Sequence, residues 1–140
     1  MAFLNSLNTV GSALTAEQFR TSVVLQNIAN AGVVAKNGED PYTRKQVIFQ
    51  ERDMTFSEAL EHAQGGGVRV AEIVENENDY TPVYDPTHPE ADEDGYIYYP
   101  NVNTTEEITD LMEASRAYEA NVTALSVVKA MAAKALEIGQ

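Results

Sequence analysis

The sequence predicts a mainly α protein with a small β part. Two long terminal helices pair in a coiled-coil-like manner, and a small antiparallel β insert with an extended loop lies between them. Three observations predict this arrangement. Residues 104–138 contain neither glycine nor proline. All five prolines (Pro41, Pro82, Pro86, Pro89, Pro100) and six of the seven tyrosines fall between positions 41 and 100. Apolar residues recur at helical spacing at both ends of the chain and alternate with polar ones in the middle. The chain therefore divides into a discontinuous helical assembly domain, 1–32 and 104–140, and a β-rich insert, 33–103, that carries an acidic, proline-containing loop.

The first helix is read from Phe3, Leu7, Val10 and Leu14, whose steps of 4, 3 and 4 make a short a/d seam. Glu17 and Thr21 fall on the same stripe, which resumes at Val24 and Ile28. Gly11 inside this helix costs about 1 kcal/mol relative to alanine. Asn30-Ala31-Gly32 reads as the helix end, with Gly32 free to take the left-handed conformation.

The insert begins at a turn signal, Asn37-Gly38, followed by the β-forming run YTRKQVIFQ at 42–50, in which Val47 and Phe49 alternate with polar neighbours. Residues 54–63 form a helical turn or stay irregular. Gly65-Gly66-Gly67 reads as a flexible joint. Val68, Val70 and Val74 mark a second strand, and 96–99 a short third one, so a small antiparallel sheet is expected. Residues 75–95 are acidic and hold three prolines, which predicts an ordered loop or extended arm.

The last helix spans 104–138. Leu111, Ser115, Tyr118, Val122, Leu125, Val128, Ala132 and Leu136 recur near the helical period on one stripe. Its start fits a capping box in two ways, Thr104 with Glu107 or Asn103 with Glu106. Glu106, Glu107, Asp110 and Glu113 early and Lys129 and Lys134 late complement the helix dipole. Gly139 supplies the stop. At 1.5 Å per residue this helix is about 50 Å long.

Several functional classes are excluded. A formal charge of −13 repels phosphate backbones and anionic lipid, so neither nucleic acid nor a membrane surface is an expected partner. The chain has no cysteine, hence no disulfide, thiolate site or cysteine nucleophile. No apolar run reaches the length of a membrane span, and the first residues lack the basic and continuous apolar regions of a cleaved secretory signal. No serine sits in a nucleophile-elbow pattern, and the triple glycine lacks the Gly-Lys-Ser/Thr of a phosphate loop. His62 and His88 stand singly. The nearest approach to a ligand site is 90–95 (EADEDG), with carboxylates at positions 1, 3 and 5 and glycine at 6 of a calcium loop. Position 12 is Asn101, and flanking prolines oppose the helices of that motif, so a solvated acidic turn is the expectation. The acceptor tripeptides at Asn103 and Asn121 read as chance, the second because it lies mid-helix. No catalytic, cofactor-binding or metal-binding residue, and no small-molecule substrate, is expected.

Neither terminal helix can bury its stripe alone. One reading is a plain two-helix hairpin in a monomer. The other is that two helices leave apolar surface for neighbouring subunits, and a heterologous contact of that kind repeats into a ring or open filament. The expected assembly interface comprises Leu7, Val10, Leu14, Val24 and Ile28 against Leu111, Tyr118, Val122, Leu125, Val128 and Leu136. Asn27, Asn30 and Asn121 are candidates to set register through amide hydrogen bonds. For Asn30 a plain helix-end role is the alternative.

The second reading gains weight from a resemblance. Residues 12–16 (SALTA) and 27–31 (NIANA) are similar to the first-helix signature of the flagellar basal-body rod family. PYTRKQVIFQ at 41–50, YDPTHP at 84–89 with Gly95-Tyr96, and PNVN at 100–103 resemble its next blocks, and RAYEAN at 116–121 its last-helix motif. The resemblance runs in order through most of the chain; residues 51–64 match poorly. It implies a structural, self-assembling subunit of the proximal rod, or of another axial part of the flagellum. The implied site is the basal body, with the rod crossing the periplasm to transmit torque. Implied partners are other copies, other rod proteins, and membrane-ring and export-apparatus proteins at the rod base. Export would proceed through the flagellum's own type III apparatus without a cleaved signal.

Overall fold

The computed structural model describes residues 2–36, 38–53, 66–76 and 79–138. The expectations at Asn37, 54–63, Gly65 and Gly139, and the reading of His62, lie outside these residues.

Helix α1 spans Ala2–Asn30 and helix α2 spans Thr104–Ile138. They pack against each other antiparallel, because Asn27 meets Glu107 while Arg20 lies 3.8 Å from both Asp110 and Glu113. At 1.5 Å per residue α1 is about 43 Å long and α2 about 52 Å, so α2 runs past its partner by more than one turn. On the covered side of α2 small side chains, Ala114 buried and Ala117, Ala124 and Ala132 half-buried, stand among the half-buried Leu111, Leu125 and Val128. On α1, Ala16, Val23 and Val24 are all buried. Residues of this size let two backbones approach closely but exclude little surface from water per turn.

The helix ends are closed locally. Asn30 donates its amide to the Gln26 carbonyl at 2.7 Å, and the Ala31 and Val33 N–H groups bond to the Ile28 and Asn30 carbonyls. Gly32 does not take the expected left-handed conformation; among the described residues the positive-φ glycines are Gly38, Gly67 and Gly95. The tight turns and the Asn30 amide already satisfy carbonyls that a left-handed residue would serve. Of the two caps considered for α2, Asn103 is the one used. Its Oδ1 accepts from the Thr105 N–H at 3.0 Å and its Nδ2 donates to Glu106 at 3.2 Å. Glu107 is thereby released for another purpose.

Between the helices run β1 (Lys45–Glu51), β2 (Val68–Glu75), β3 (Thr81–Tyr84) and β4 (Tyr96–Tyr99). They form two separate antiparallel hairpins, β1 with β2 and β3 with β4, where the sequence suggested one sheet. Strand β3 lies within the stretch expected to be irregular. Its Pro82 is tolerated because it stands opposite Tyr98 at a position whose N–H faces away from the partner strand.

The β1–β2 hairpin lies along α1. At one end Lys45 is bonded to Asn27, and at the other the Val68 N–H donates to the Ser12 hydroxyl at 3.0 Å. From Ser12 to Asn27 the helix rises about 22 Å, matching the roughly 23 Å of a seven-residue strand. The glycines at the start of β2 are not a flexible joint where they are described. A Cβ on Gly66 would collide with the Arg52 carbonyl, and one on Gly67 with the Ser12 hydroxyl. Gly67 also has φ +86°, so it is the residue that brings the hairpin onto the helix.

Candidate functional site

Two features carry the chemistry of this fold, a buried polar knot and an uncovered apolar stripe. The knot joins α1, α2 and β1. Asn27 is 1% exposed and Glu107 0%, the least exposed polar residues among those described. Asn27 Oδ1 accepts from the Tyr42 hydroxyl at 2.8 Å and from the Lys45 N–H at 3.1 Å. Its Nδ2 donates to the Lys45 carbonyl at 2.8 Å and to Glu107 Oε2 at 2.9 Å. The other Glu107 oxygen takes the Arg44 Nε–H, and Arg44 Nη2 reaches Asp110 at 3.1 Å. The Arg44 N–H donates to Asn101 Oδ1, whose amide donates to the Asn76 carbonyl. A carboxylate removed from water is tolerable only when paired and bonded in this way. Burial, then the nearby Glu107 and Glu75 charges, push the Tyr42 hydroxyl above its ordinary pKa, so it stays a donor.

The apolar stripe lies on α2. Ile108, Met112, Tyr118, Val122 and Leu136 are exposed, with Leu136 at 74%. Counting 3.6 residues per turn from buried Ala114, Val122, Ile108 and Met112 lie about 80–160° round the helix, while Tyr118 and Leu136 lie about 40° from it, at the border of the arc that α1 covers. The helix thus has two apolar faces, of which its own chain hides one.

The sequence-predicted interface residues divide accordingly. On α1, Val24 is buried, and Leu7, Val10, Leu14 and Ile28 are half-buried. On α2, Leu111, Leu125 and Val128 are half-buried, whereas Tyr118, Val122 and Leu136 face outward. Asn121 is half-buried, and Asn30 caps its own helix. The Asn27 amide is occupied inside the chain, where it fixes β1 to the helix pair. Sequence reasoning missed Tyr42 and Arg44, taken as strand residues, and Glu107, taken as a dipole charge. No local pattern joins residues so far apart in the chain. Ile108 and Met112 were also missed, although their four-residue spacing could have found them.

In the acidic 90–95 turn, Asp92 accepts the Asp94 and Tyr96 N–H groups at 3.0 and 2.7 Å. Its other oxygen faces the Tyr98 hydroxyl at 3.4 Å, and this carboxylate raises the Tyr98 pKa. His88 accepts the Glu90 N–H. Among the described residues no cluster of His, Asp or Glu is grouped to hold a metal, and no helix is long and apolar enough to cross a membrane.

Comparison with known proteins points the same way as these seams. The family described as "Flagellar basal body rod FlgEFG protein C-terminal" matches residues 93–138, the loop after β3 together with β4 and α2. Over its whole length the chain is 45% identical to the flagellar basal-body rod protein FlgC of Bacillus subtilis (strain 168), covering all of that protein. It is 43% identical to FlgC of Escherichia coli O6:H1, again with both chains fully covered. To FlgC of Borreliella burgdorferi it is 37% identical, covering 99% of that chain.

Proposed function

The chain belongs to the FlgC family of flagellar basal-body rod proteins, and on that footing we propose how it serves as a structural subunit of the rod. The observation that carries the reading is the second apolar face of α2. Burying a Val or Leu side chain is worth about 1.5–3 kcal/mol. Ile108, Met112 and Val122 on that face, with Tyr118 and Leu136 at its border, repeated from subunit to subunit, suffice to hold a shaft without covalent links. The contact is heterologous, with Tyr118 and Val122 of one copy meeting a different surface on the next, and such a contact propagates as an open helix when its rotation does not close into a ring.

In this reading the helix pair is the assembly unit and the two hairpins form an outer portion fixed to it by the knot. The subunit belongs to the proximal rod and transmits torque. Its partners are further copies, other rod proteins, and the membrane-ring and export proteins at the rod base. It reaches its place through the flagellar export apparatus, and it acts through packing and not through catalysis.

The test places a charge on the outward face. Val122 is 41% exposed, so Val122→Glu should leave the melting temperature of the free chain nearly unchanged. The variant should be missing from purified basal bodies, and cells relying on it should not swim. Normal incorporation would remove this face from the assembly. Leu125 is a poorer site for the same test, because it is half-buried and a charge there would also disturb the chain's own packing.

A further inference from the structure

Hairpin edges differ in how they are closed. In β3–β4 the outer edges are blocked where they could accept another strand. The Asp85 N–H bonds to the Gly95 carbonyl, which sets the alternation and turns positions 82 and 98 outward. Position 82 is proline and has no N–H, while the Tyr98 carbonyl is taken by the Ala35 N–H at 3.2 Å. Strand β2 carries Arg69, Glu72 and Glu75, charges that discourage pairing.

Strand β1 has neither device beyond its first residue. The Arg44 carbonyl accepts from the Asn76 N–H, so positions 44, 46 and 48 face β2 and positions 45 and 47 face away. At Lys45 the Asn27 side-chain amide fills both outward groups, donating to the C=O and accepting from the N–H as a neighbouring strand would. After the irregularity at Ile48/Phe49 the Arg52 N–H bonds to the Gly67 carbonyl, which turns Phe49 outward as well. From Gln46 to Gln50 the strand has no charge. Beside this edge runs an open groove of about 280 Å³, walled by Val23, Val24, Val47 and Phe49, with Arg20 and Asp110 on its rim. Five consecutive residues of β1, 45 to 49, line it, as an edge-on strand requires.

We propose that the outer edge of β1 at Val47 and Phe49 is a strand-addition site, filled in the assembled rod by an extended segment of a neighbouring subunit. The backbone groups of that segment continue the pairing that Asn27 begins. Its alternate side chains are apolar and pack on Val23 and Val24. This rests on the reading of the chain as a rod subunit, and adds a backbone-specific contact to the side-chain packing of α2.

Two measurements decide it. Val47→Pro removes an outward N–H without touching the ladder to β2, a place where edge strands tolerate proline. The free variant should melt close to its parent, yet its incorporation into basal bodies should fall at least roughly tenfold; incorporation at the parental level would overturn the proposal. Because the variant could also misfold, exchange of the unaltered protein is read in parallel. The Val47 and Phe49 amides should exchange at least roughly tenfold more slowly in purified basal bodies than in the free chain, and equal rates would overturn the proposal. A photo-crosslinker at Gln46 identifies the occupant: a product with a neighbour's extended segment supports strand addition, and a product with a neighbour's helix refutes it. Loss of Val122→Glu incorporation with normal Val47→Pro incorporation would refute the edge while sparing the rod reading. Normal incorporation of both would sink both.

Discussion

The two hairpins sit on the same insert but are held by different means. The β1–β2 hairpin is held from outside itself. Its anchors are Asn27 and Ser12 on α1 and Glu107 on α2, all remote in sequence from the strands they fix. The β3–β4 hairpin is largely self-contained. Thr87 bonds to Asp85 through both its N–H and its hydroxyl, Asp92 caps the turn into β4, and the Tyr84 and Tyr96 rings meet edge to face with centroids 5.3 Å apart. Local bonds shape a hairpin without reference to the helices. Remote bonds make one whose position reports on the helices, and a subunit that carries load needs the second kind to keep its outer part in register with its shaft.

The largest break in this contrast should come from Glu107→Ala. Arg44, with 11% of its side chain exposed, would lose its buried partner, and removing one member of such a pair costs about 3–5 kcal/mol. Thermal unfolding should show that loss, with amide signals of β1 shifting and those of β3–β4 changing little. Equal perturbation of both hairpins would erase the distinction. Asn27→Ala should follow at about 2–3 kcal/mol, because it orphans the Tyr42 hydroxyl and both outward groups of Lys45. Gly67→Ala comes next, at about 1–3 kcal/mol, from a Cβ forced against Ser12 in a left-handed conformation. Denaturant midpoints would rank these three, and a Gly67→Ala chain as stable as its parent would show that the hairpin can seat without that close approach.

The smallest effects sharpen the contrast by pH. Two hydrogen bonds from Thr87 hold Asp85 below its ordinary pKa. A carboxylate lowered on folding contributes stability above its unfolded pKa and loses it as pH falls through the folded value. Acid should therefore loosen the 85–88 turn of the second hairpin, a modest effect for an exposed group. Tyr42 is raised by burial, so its contribution is complete below the ordinary tyrosine pKa and is lost as pH rises through the folded one. Alkali should thus release the β1 end of the knot. Tyr98 is raised too, chiefly by Asp92, but on the surface, where the effect on stability is slight. Chemical shifts of Lys45 and Thr87 followed across pH would test both directions, and a reversal of the two would count against the assignment.

Much of the fold was legible in the residues. The apolar period of 104–138 and its freedom from glycine and proline specified α2, and Asn103 with Glu106 was one of the two starts considered. Strand β1 was legible from Val47 and Phe49. What the pattern could not rank was which apolar positions on α2 turn inward. Val122 and Val128 were both read into one stripe, yet Val128 is half-buried and Val122 is exposed, because they lie about 120° apart and α1 covers only one arc of the helix. Strand β3 was hidden by its proline and by the acidic residues around it, since a strand on an edge needs only every second N–H.

The sequence by itself determined the two helices, their boundaries to within a residue or two, the acidic and cysteine-free character, and the family. These follow from periodicity, propensity and motif, which are properties of neighbours along the chain. Only the tertiary structure decided that Asn27, Tyr42, Arg44 and Glu107 form one knot, that β1 and β3 belong to different hairpins, and that a second apolar face stays uncovered. Those outcomes depend on which surfaces meet when a 29-residue helix is laid against a 35-residue one, and contacts between residues eighty positions apart leave no periodic trace in the chain.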